Sequence, residues 1–463
     1  MVRLGNLPQL QPGTGDSSRI VTGKTVFYVG LAIAIVGLSL ATLRVDPLIL
    51  AGGIIGIVAL FAVLKYPFFG FFVYMALYFI RPGERYPSLA PLRLELLFGL
   101  LLLATIVLSD ALRGTRVRFP TDRISMVVFG LIGVFCIGTV FSEWKAQSAE
   151  LVGHFVKLFI FYYYILALTN TERRFAYAYW FIVAFTCLVG IEAFYNYFTG
   201  NFRFNQGVMR TGGATSYGDH ANSMAMYMAT TIPMLVYLIA RYKNVLIRWL
   251  CLLLIIICFI TLIITASRSG LLCIIAVALT YIGFSKHRVA YFVCLVLVSV
   301  CTWALMPEQY KMRYSSITSS QLDDSSQGRV EAWKVGLDMF LEKPILGVGP
   351  GVFPAAYWNR RGVWLQSHSL YIQVMAETGA VGILAFATLL IVIFKRLNTM
   401  FRSDPTKRSS DDLKVFARAN YAILIGLLVA GVFGHIMLRD TWYLTAALIV
   451  AKTNLLPQEA GLT

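Results

Sequence analysis

Apolar residues run along this chain in blocks of about 20, the length a helix needs to cross a bilayer core, and polar residues collect between them. About fourteen such blocks stand out, at 25–43, 46–64, 66–80, 94–109, 124–141, 149–168, 175–197, 221–240, 247–266, 270–285, 289–306, 377–394, 419–437 and 441–454. The third and fourteenth are short enough to be re-entrant or peripheral. The pattern predicts an all-α, polytopic integral membrane protein. Two polar intervals are longer than a turn. The first, 198–220, is rich in Gly, Asn and Ser. The second, 307–376, contains a helical stretch at 328–343, a Pro-Gly turn at 344–351, an aromatic loop and a helix opening at His368, HSLYIQVMAETG. Roughly seventy residues suffice for a small helical cap but not for an independent enzymatic domain. Any active site in this interval must be shared with the membrane helices beneath it.

Composition sharpens this picture. A chain that is 58% hydrophobic and 14% charged is too apolar for a soluble globular protein. Its net charge of +17 would suggest nucleic acid, but the basic residues sit in alternate loops. They gather at Arg113 to Arg123, Arg173–Arg174, Arg241 to Arg248, Lys286–Arg288 and, most densely, Lys395 to Arg418. Short basic loops stay cytoplasmic, so both termini are expected inside and the loops at 81–93, 142–149, 198–220 and 307–376 outside. The excess then reports topology, and nucleic acid is not an expected partner. The expected divisions are a disordered cytoplasmic leader (1–23), N-terminal membrane helices (24–197), a core with both outer loops (198–394), a basic cytoplasmic loop (395–418) and C-terminal helices with a tail (419–463). The leader lacks the charged-then-apolar layout of a cleavable signal. Cys136, Cys187, Cys251, Cys258, Cys273, Cys294 and Cys301 all fall in predicted spans, as apolar fillers without disulfide or metal spacing.

Three residues carry candidate chemistry. Arg268 lies in the tight turn Ser267-Arg268-Ser269-Gly270 between two spans. It either snorkels to headgroup phosphates or grips a phosphate or pyrophosphate in bidentate fashion. Arg210, in Met209-Arg210-Thr211-Gly212-Gly213, is either a solvated loop arginine or a second phosphate ligand beside glycines that admit close approach. His368 opens its helix as an interfacial residue or as a group able to exchange a proton near neutral pH. Tyr371 and Gln373 are candidate orienting partners, and Glu377 is expected to stabilise the start of the following span. The cluster Gly347-Val-Gly-Pro-Gly351 lacks the Gly-Lys-Ser/Thr ending of a phosphate loop and reads as a turn. His154 and Lys157 share a face of the sixth span, with Glu192 in the seventh. A structural Lys–Glu pair and a proton path both fit them, which keeps a transporter in view. No residue spacing suggests a bound metal.

Taken in order, these segments resemble the bacterial O-antigen ligase and O-antigen polymerase superfamily. The resemblance runs from about Arg210 to Gly379. It rests on Arg-Thr-Gly-Gly leading to Asn222, Ala-Ser-Arg-Ser-Gly at 266–270, Gly328-Arg329 with Trp333, PILGVGPGVF and HSLYIQVMAETG. It implies a GT-C-like membrane glycosyltransferase of about twelve spans, fewer than the pattern marks here. The expected activity moves a glycan from undecaprenyl pyrophosphate to a lipid or glycan acceptor hydroxyl, inverting the sugar carbon without metal or cofactor. The expected setting is the periplasmic face of the inner membrane, in lipopolysaccharide or exopolysaccharide biosynthesis. Arg210 and Arg268 match positions that bind the pyrophosphate, His368 matches the residue that activates the acceptor, and Arg329 is a weaker candidate for glycan or phosphate contact. A polyprenyl-linked glycan flippase and a protein O-oligosaccharyltransferase remain alternatives.

Overall fold

The computed structural model describes residues 61–112, 120–205, 208–213, 220–315, 324–402 and 410–456. The chain divides into Met1–Tyr66 and Pro67–Thr463. Of the first unit only the last residues are described, and 61–65 are helical. The first predicted span and most of the second lie outside the described residues.

The described residues of the second unit are helical almost throughout. Its helices are α1 (Pro67–Ile80), α2 (Pro82–Arg85), α3 (Leu94–Leu112), α4 (Arg123–Phe141), α5 (Lys145–Leu168), α6 (Glu172–Phe198), α7 (Ala221–Arg241), α8 (Val245–Ile264), α9 (Arg268–Gly283), α10 (Arg288–Leu305), α11 (Glu308–Ser315), α12 (Asp324–Glu342), α13 (Phe353–Arg361), α14 (Leu370–Phe401), α15 (Ser410–Gly431) and α16 (Asp440–Asn454). Among the described residues nine are long and apolar enough to span a membrane: α3 to α8, α10, α14 and α15, the first counted from the 3-10 turn before it. Boundaries follow local chemistry. Asp122, Thr171, Asn244 and Ser267 each accept a hydrogen bond from a backbone N–H in the first turn of the next helix. These caps satisfy donors that the helix itself cannot.

α14 is two helices joined across a kink at Gly379 (φ 61°, ψ −160°), where the helix expected from His368 gives way to the span expected after it. Two expectations need correction. The fourteenth span is short but not peripheral: every residue of α16 from Trp442 to Thr453 is buried. Apolar helices need not be outermost when neighbours can enclose them. Only four of the cysteines (Cys187, Cys251, Cys258 and Cys273) are buried fillers, while Cys136, Cys294 and Cys301 lie on outer faces. A membrane protein's outer surface is apolar too, so hydrophobicity alone does not separate the two. α10 makes the point fully, with no buried residue along its length.

The interval 198–220 holds a small antiparallel hairpin that the helical reading omitted. Its strands are β1 (Arg203–Asn205) and β2 (Val208–Arg210), with Arg203 opposite Arg210. The described residues of the interval 307–376, expected to form a helical cap, are mostly helical. In its core, Ala332, Val335 and Met339 of α12 pack on Val352, Phe353 and Ala356 around α13 and on Ala376 of α14.

Candidate functional site

The turn that carries Arg268 is built by close packing. Ala266 takes a left-handed backbone (φ 52°), which reverses the chain after α8 and lets Ser267 cap α9 through the N–H of Gly270 at 3.2 Å. A side chain at Gly270 would meet Ala225 of α7 at 2.3 Å, so only glycine lets α9 start there. Arg268, the first residue of α9, is buried. The hairpin is tied to the same turn. Thr211 donates its N–H to Ile264 O (3.4 Å) and its hydroxyl to Ala193 O (2.5 Å). Arg210 donates Nε to Thr265 O and Nη2 to Asn222 Oδ1, both at 2.8 Å. α11 closes the arrangement: Arg313 Nε reaches Ala266 O (3.3 Å), Tyr314 reaches Ile263 O (3.2 Å) and Tyr310 reaches Met209 O (2.9 Å).

Four arginines therefore gather here. Burial, aided by the charges of Arg313, Arg268 and Arg329, lowers the Arg210 guanidinium to about 10. It remains charged at neutral pH. Its cationic form is held at raised energy among like charges, a condition that an arriving polyanion relieves.

His368 stands at the entry to α14 with a left-handed backbone (φ 48°), uncommon for a residue with a side chain. Burial, reinforced by Arg329 and His220, lowers its pKa to about 4. The imidazole is therefore neutral at pH 7 and able to accept a proton. Its ring meets that of His435 edge-on, with centroids 5.4 Å apart. Burial, followed by His368, Arg439 and His220, takes His435 to about 3. Arg329 links this pair to the arginine cluster, since its charge acts on both Arg210 and His368; its guanidinium lies 5.9 Å from the Phe433 ring centroid.

The glycine cluster is the expected turn and acts as a clamp. Val348 and Gly349 donate N–H groups to Ala376 O and Glu377 O, and Ala380 and Val381 donate to Pro344 O and Ile345 O. Side chains at Gly347 (φ 68°) or Gly379 (φ 61°) would collide with the facing backbone at 2.4–2.5 Å. The clamp fixes the bend in α14 and with it the position of His368.

The supporting residues divide. Glu377 is placed differently from its expected role: its carboxylate accepts the N–H groups of Gly351 (3.0 Å) and Phe353 (3.3 Å), so it serves the start of α13, not the span that follows it. Gln373 donates to Glu377 Oε2 (3.3 Å) and accepts from Met437 N (3.3 Å). Tyr371 is turned to α15, its hydroxyl donating to Leu428 O at 2.9 Å. Glu192 does not pair with Lys157; Arg85 holds it in a two-pronged contact at 2.5 and 2.6 Å.

A cavity of about 390 Å³ adjoins His435, bordered also by Arg81, His154, Lys157, Gln366, Gln373, Glu377, Arg439 and Asp440. Sequence reasoning did not single out Arg313, His435, Arg439 or Arg81. The one available signal was the pair Arg439-Asp440 in a short turn between apolar tracts. Among the described residues no three His, Cys, Asp or Glu side chains stand together as metal ligands.

Residues 253–387 match the family model described as O-antigen ligase. That stretch runs from within α8 into α14 and contains Arg268, Arg313, Arg329 and His368. Arg210, His435 and Arg439 fall outside it. The chain thus carries an O-antigen ligase-like region in a predominantly helical, multi-span membrane protein. No curated protein matches the chain significantly.

Proposed function

We propose that the protein is a membrane glycosyltransferase that moves a glycan from a polyprenyl pyrophosphate to an acceptor hydroxyl on the outer face of the cytoplasmic membrane. The observation that carries this reading is the convergence of Arg210, Arg268 and Arg313 on one turn, with Arg329 joining them to His368. The arginines hold the pyrophosphate. The acceptor O–H gives its proton to neutral His368, and its oxygen attacks the sugar's anomeric carbon from the face opposite the leaving group. The bond from that carbon to the phosphate oxygen breaks, and the pyrophosphate departs with the electron pair under the arginines' charge. The configuration inverts. A positioned base adds ~10²–10⁴-fold, and the arginines stabilise negative charge where it develops, so this chain's own side chains can carry the step.

The test uses purified protein in detergent, a lipid-pyrophosphate-linked glycan and an acceptor. A new glycosidic bond is expected, lost in His368→Ala and Arg268→Ala proteins that still fold. Full activity in either variant removes that residue from the mechanism. In cells, loss of a polymerase leaves single-repeat caps, whereas loss of a ligase leaves unattached long polymer. A transporter gains nothing from the geometry, because the Glu192 expected to serve its proton path is held by Arg85.

A further inference from the structure

We propose that His435 is a proton relay, which takes the acceptor's proton on from His368 as the glycosidic bond forms and releases it to the polar cavity it borders. The inference rests on the transferase reading and adds a second residue to it, with a path for the proton. A relay is needed because His368 is a poor place for that proton to stay. Arg329 and His220 act on it, and a cation held there would oppose them as the bond forms. The departing pyrophosphate is a poor destination too, since the arginines stabilise its anionic form. His368 itself does not line the cavity.

His435 closes that gap. Its ring stands edge-on to His368, with centroids 5.4 Å apart and planes at 72°, one hydrogen bond or one bridging water away. Protein surrounds His435, yet the residue is exposed, because the space it meets is the cavity. Imidazole accepts at one nitrogen and donates at the other. The acceptor's proton can therefore enter His368 at one nitrogen while the proton on its other nitrogen passes to His435. His435 in turn gives its own N–H proton to the cavity, and both rings end neutral. Enclosure, followed by His368, Arg439 and His220, makes His435 too weak a base to keep a proton at pH 7. The cavity, of about 390 Å³, is roomy and polar enough for water. Glu377, Gln373 and Asp440 border it, as do Glu84, whose side chain is 40% exposed, and His154, which is also exposed. His435 is thus joined to groups in contact with solvent, and His154 gains a place at the outlet without a transport role.

The experiment follows a single turnover by full-length protein in nanodiscs, with donor and acceptor glycolipids extracted from the source cells, in H2O, D2O and their mixtures. His435→Ala should slow bond formation about 10–100-fold, less than loss of the base itself, with undecaprenyl pyrophosphate binding changed less than about twofold. Millimolar imidazole, small enough to enter the cavity, should restore much of that rate. A ring that only packs would show no such rescue. The wild-type rate plotted against deuterium fraction should curve, because more than one proton moves, and the plot should straighten in His435→Ala. The wild-type plot carries the test if His435→Ala does not fold. His220→Gln is the control, expected to keep the curved plot and to gain nothing from imidazole. Full rate in His435→Ala, a loss that imidazole does not repair, a straight wild-type plot, or rescue at His220 instead each overturns the relay and leaves the transferase intact. A wild-type protein that binds the carrier yet forms no glycosidic bond overturns both.

Discussion

α7 joins two charged regions of opposite design. Its first turn lies at the arginine cluster, through Asn222, and its last residue is Arg241, ~30 Å away at 1.5 Å per residue. At the Arg241 end each cation faces carboxylates. Arg241 pairs with Asp412 (2.7 Å) and Glu172 (3.1 Å), and Lys452 pairs with Glu172 and Asp412, both at 2.8 Å. This square fastens α6, α7, α15 and α16 together. At the other end Arg210 spends its donors on the neutral oxygens of Thr265 and Asn222, and the charges that press on it belong to three further arginines. The first arrangement is complete without a ligand. On the transferase reading the second would receive an anion, and a substitution should then damage stability at one end and chemistry at the other.

The largest effect is expected at Arg268. Removing one donor aimed at developing negative charge costs ~10²–10³-fold in rate, and on the transferase reading Arg268→Ala should fall in that range per folded molecule. Arg268→Lys keeps the charge but not the planar fork, so intermediate activity is expected. Turnover measured beside thermal unfolding checks both. A variant that loses stability and activity together would show that the two ends are not so different.

Lys452 provides the converse test. Its side chain is 4% exposed, yet Glu172 is 48% exposed and both carboxylates keep Arg241. Breaking a fully buried pair costs ~3–5 kcal/mol, and partial solvation reduces this to about 2–3 kcal/mol for Lys452→Met. Denaturation in detergent should register the loss, while transfer per folded molecule stays at the wild-type level.

The pH profile sharpens the comparison from the site's side. His368 is lowered from 6.5 to about 4, by burial first and then by Arg329 and His220. Its proton-accepting form therefore persists as pH falls through 6.5 and is lost only near 4, which is where the acid limb of kcat/KM is expected. The same shift makes the fold lose stability as pH falls from 6.5 toward 4, because the unfolded chain binds the proton first. Arg329→Gln removes a positive neighbour and should move the acid limb upward. A limb fixed near 6.5 in both proteins would detach His368 from the reaction.

Most of the helices were legible because a lipid-crossing segment must satisfy its own backbone and so writes an unbroken apolar block. Arg210, Arg268 and His368 were legible for the reverse reason: polar chemistry is conspicuous beside such blocks. Partners were not. Nothing along the chain tells Glu192 to choose Arg85 over Lys157, since α2 meets α6 only after the chain has folded. Arg313 is hidden among the ordinary polar residues of the cap, and Arg439 reads as one more basic turn until His435 and the cavity are seen beside it. The hairpin was missed because three-residue strands are too short to show alternation.

The smallest expected effect belongs to Glu192, and it separates the two ends' logic from a transport mechanism. Its carboxylate receives Nη1 and Nη2 of Arg85, whose Nε is itself anchored on Ile80 O at 2.8 Å. Both side chains are about a quarter exposed, so solvent already screens the pair. Glu192→Gln keeps one acceptor for the guanidinium and should cost about 1 kcal/mol of stability, with transfer unaltered. A proton carrier behaves otherwise. If Glu192 passed protons across the membrane, glutamine would abolish proton-coupled flux in sealed vesicles while leaving the fold intact. Loss of function of that kind, with glycosidic bond formation preserved in detergent, would assign the Arg85–Glu192 pair to transport and the arginine cluster to a different task.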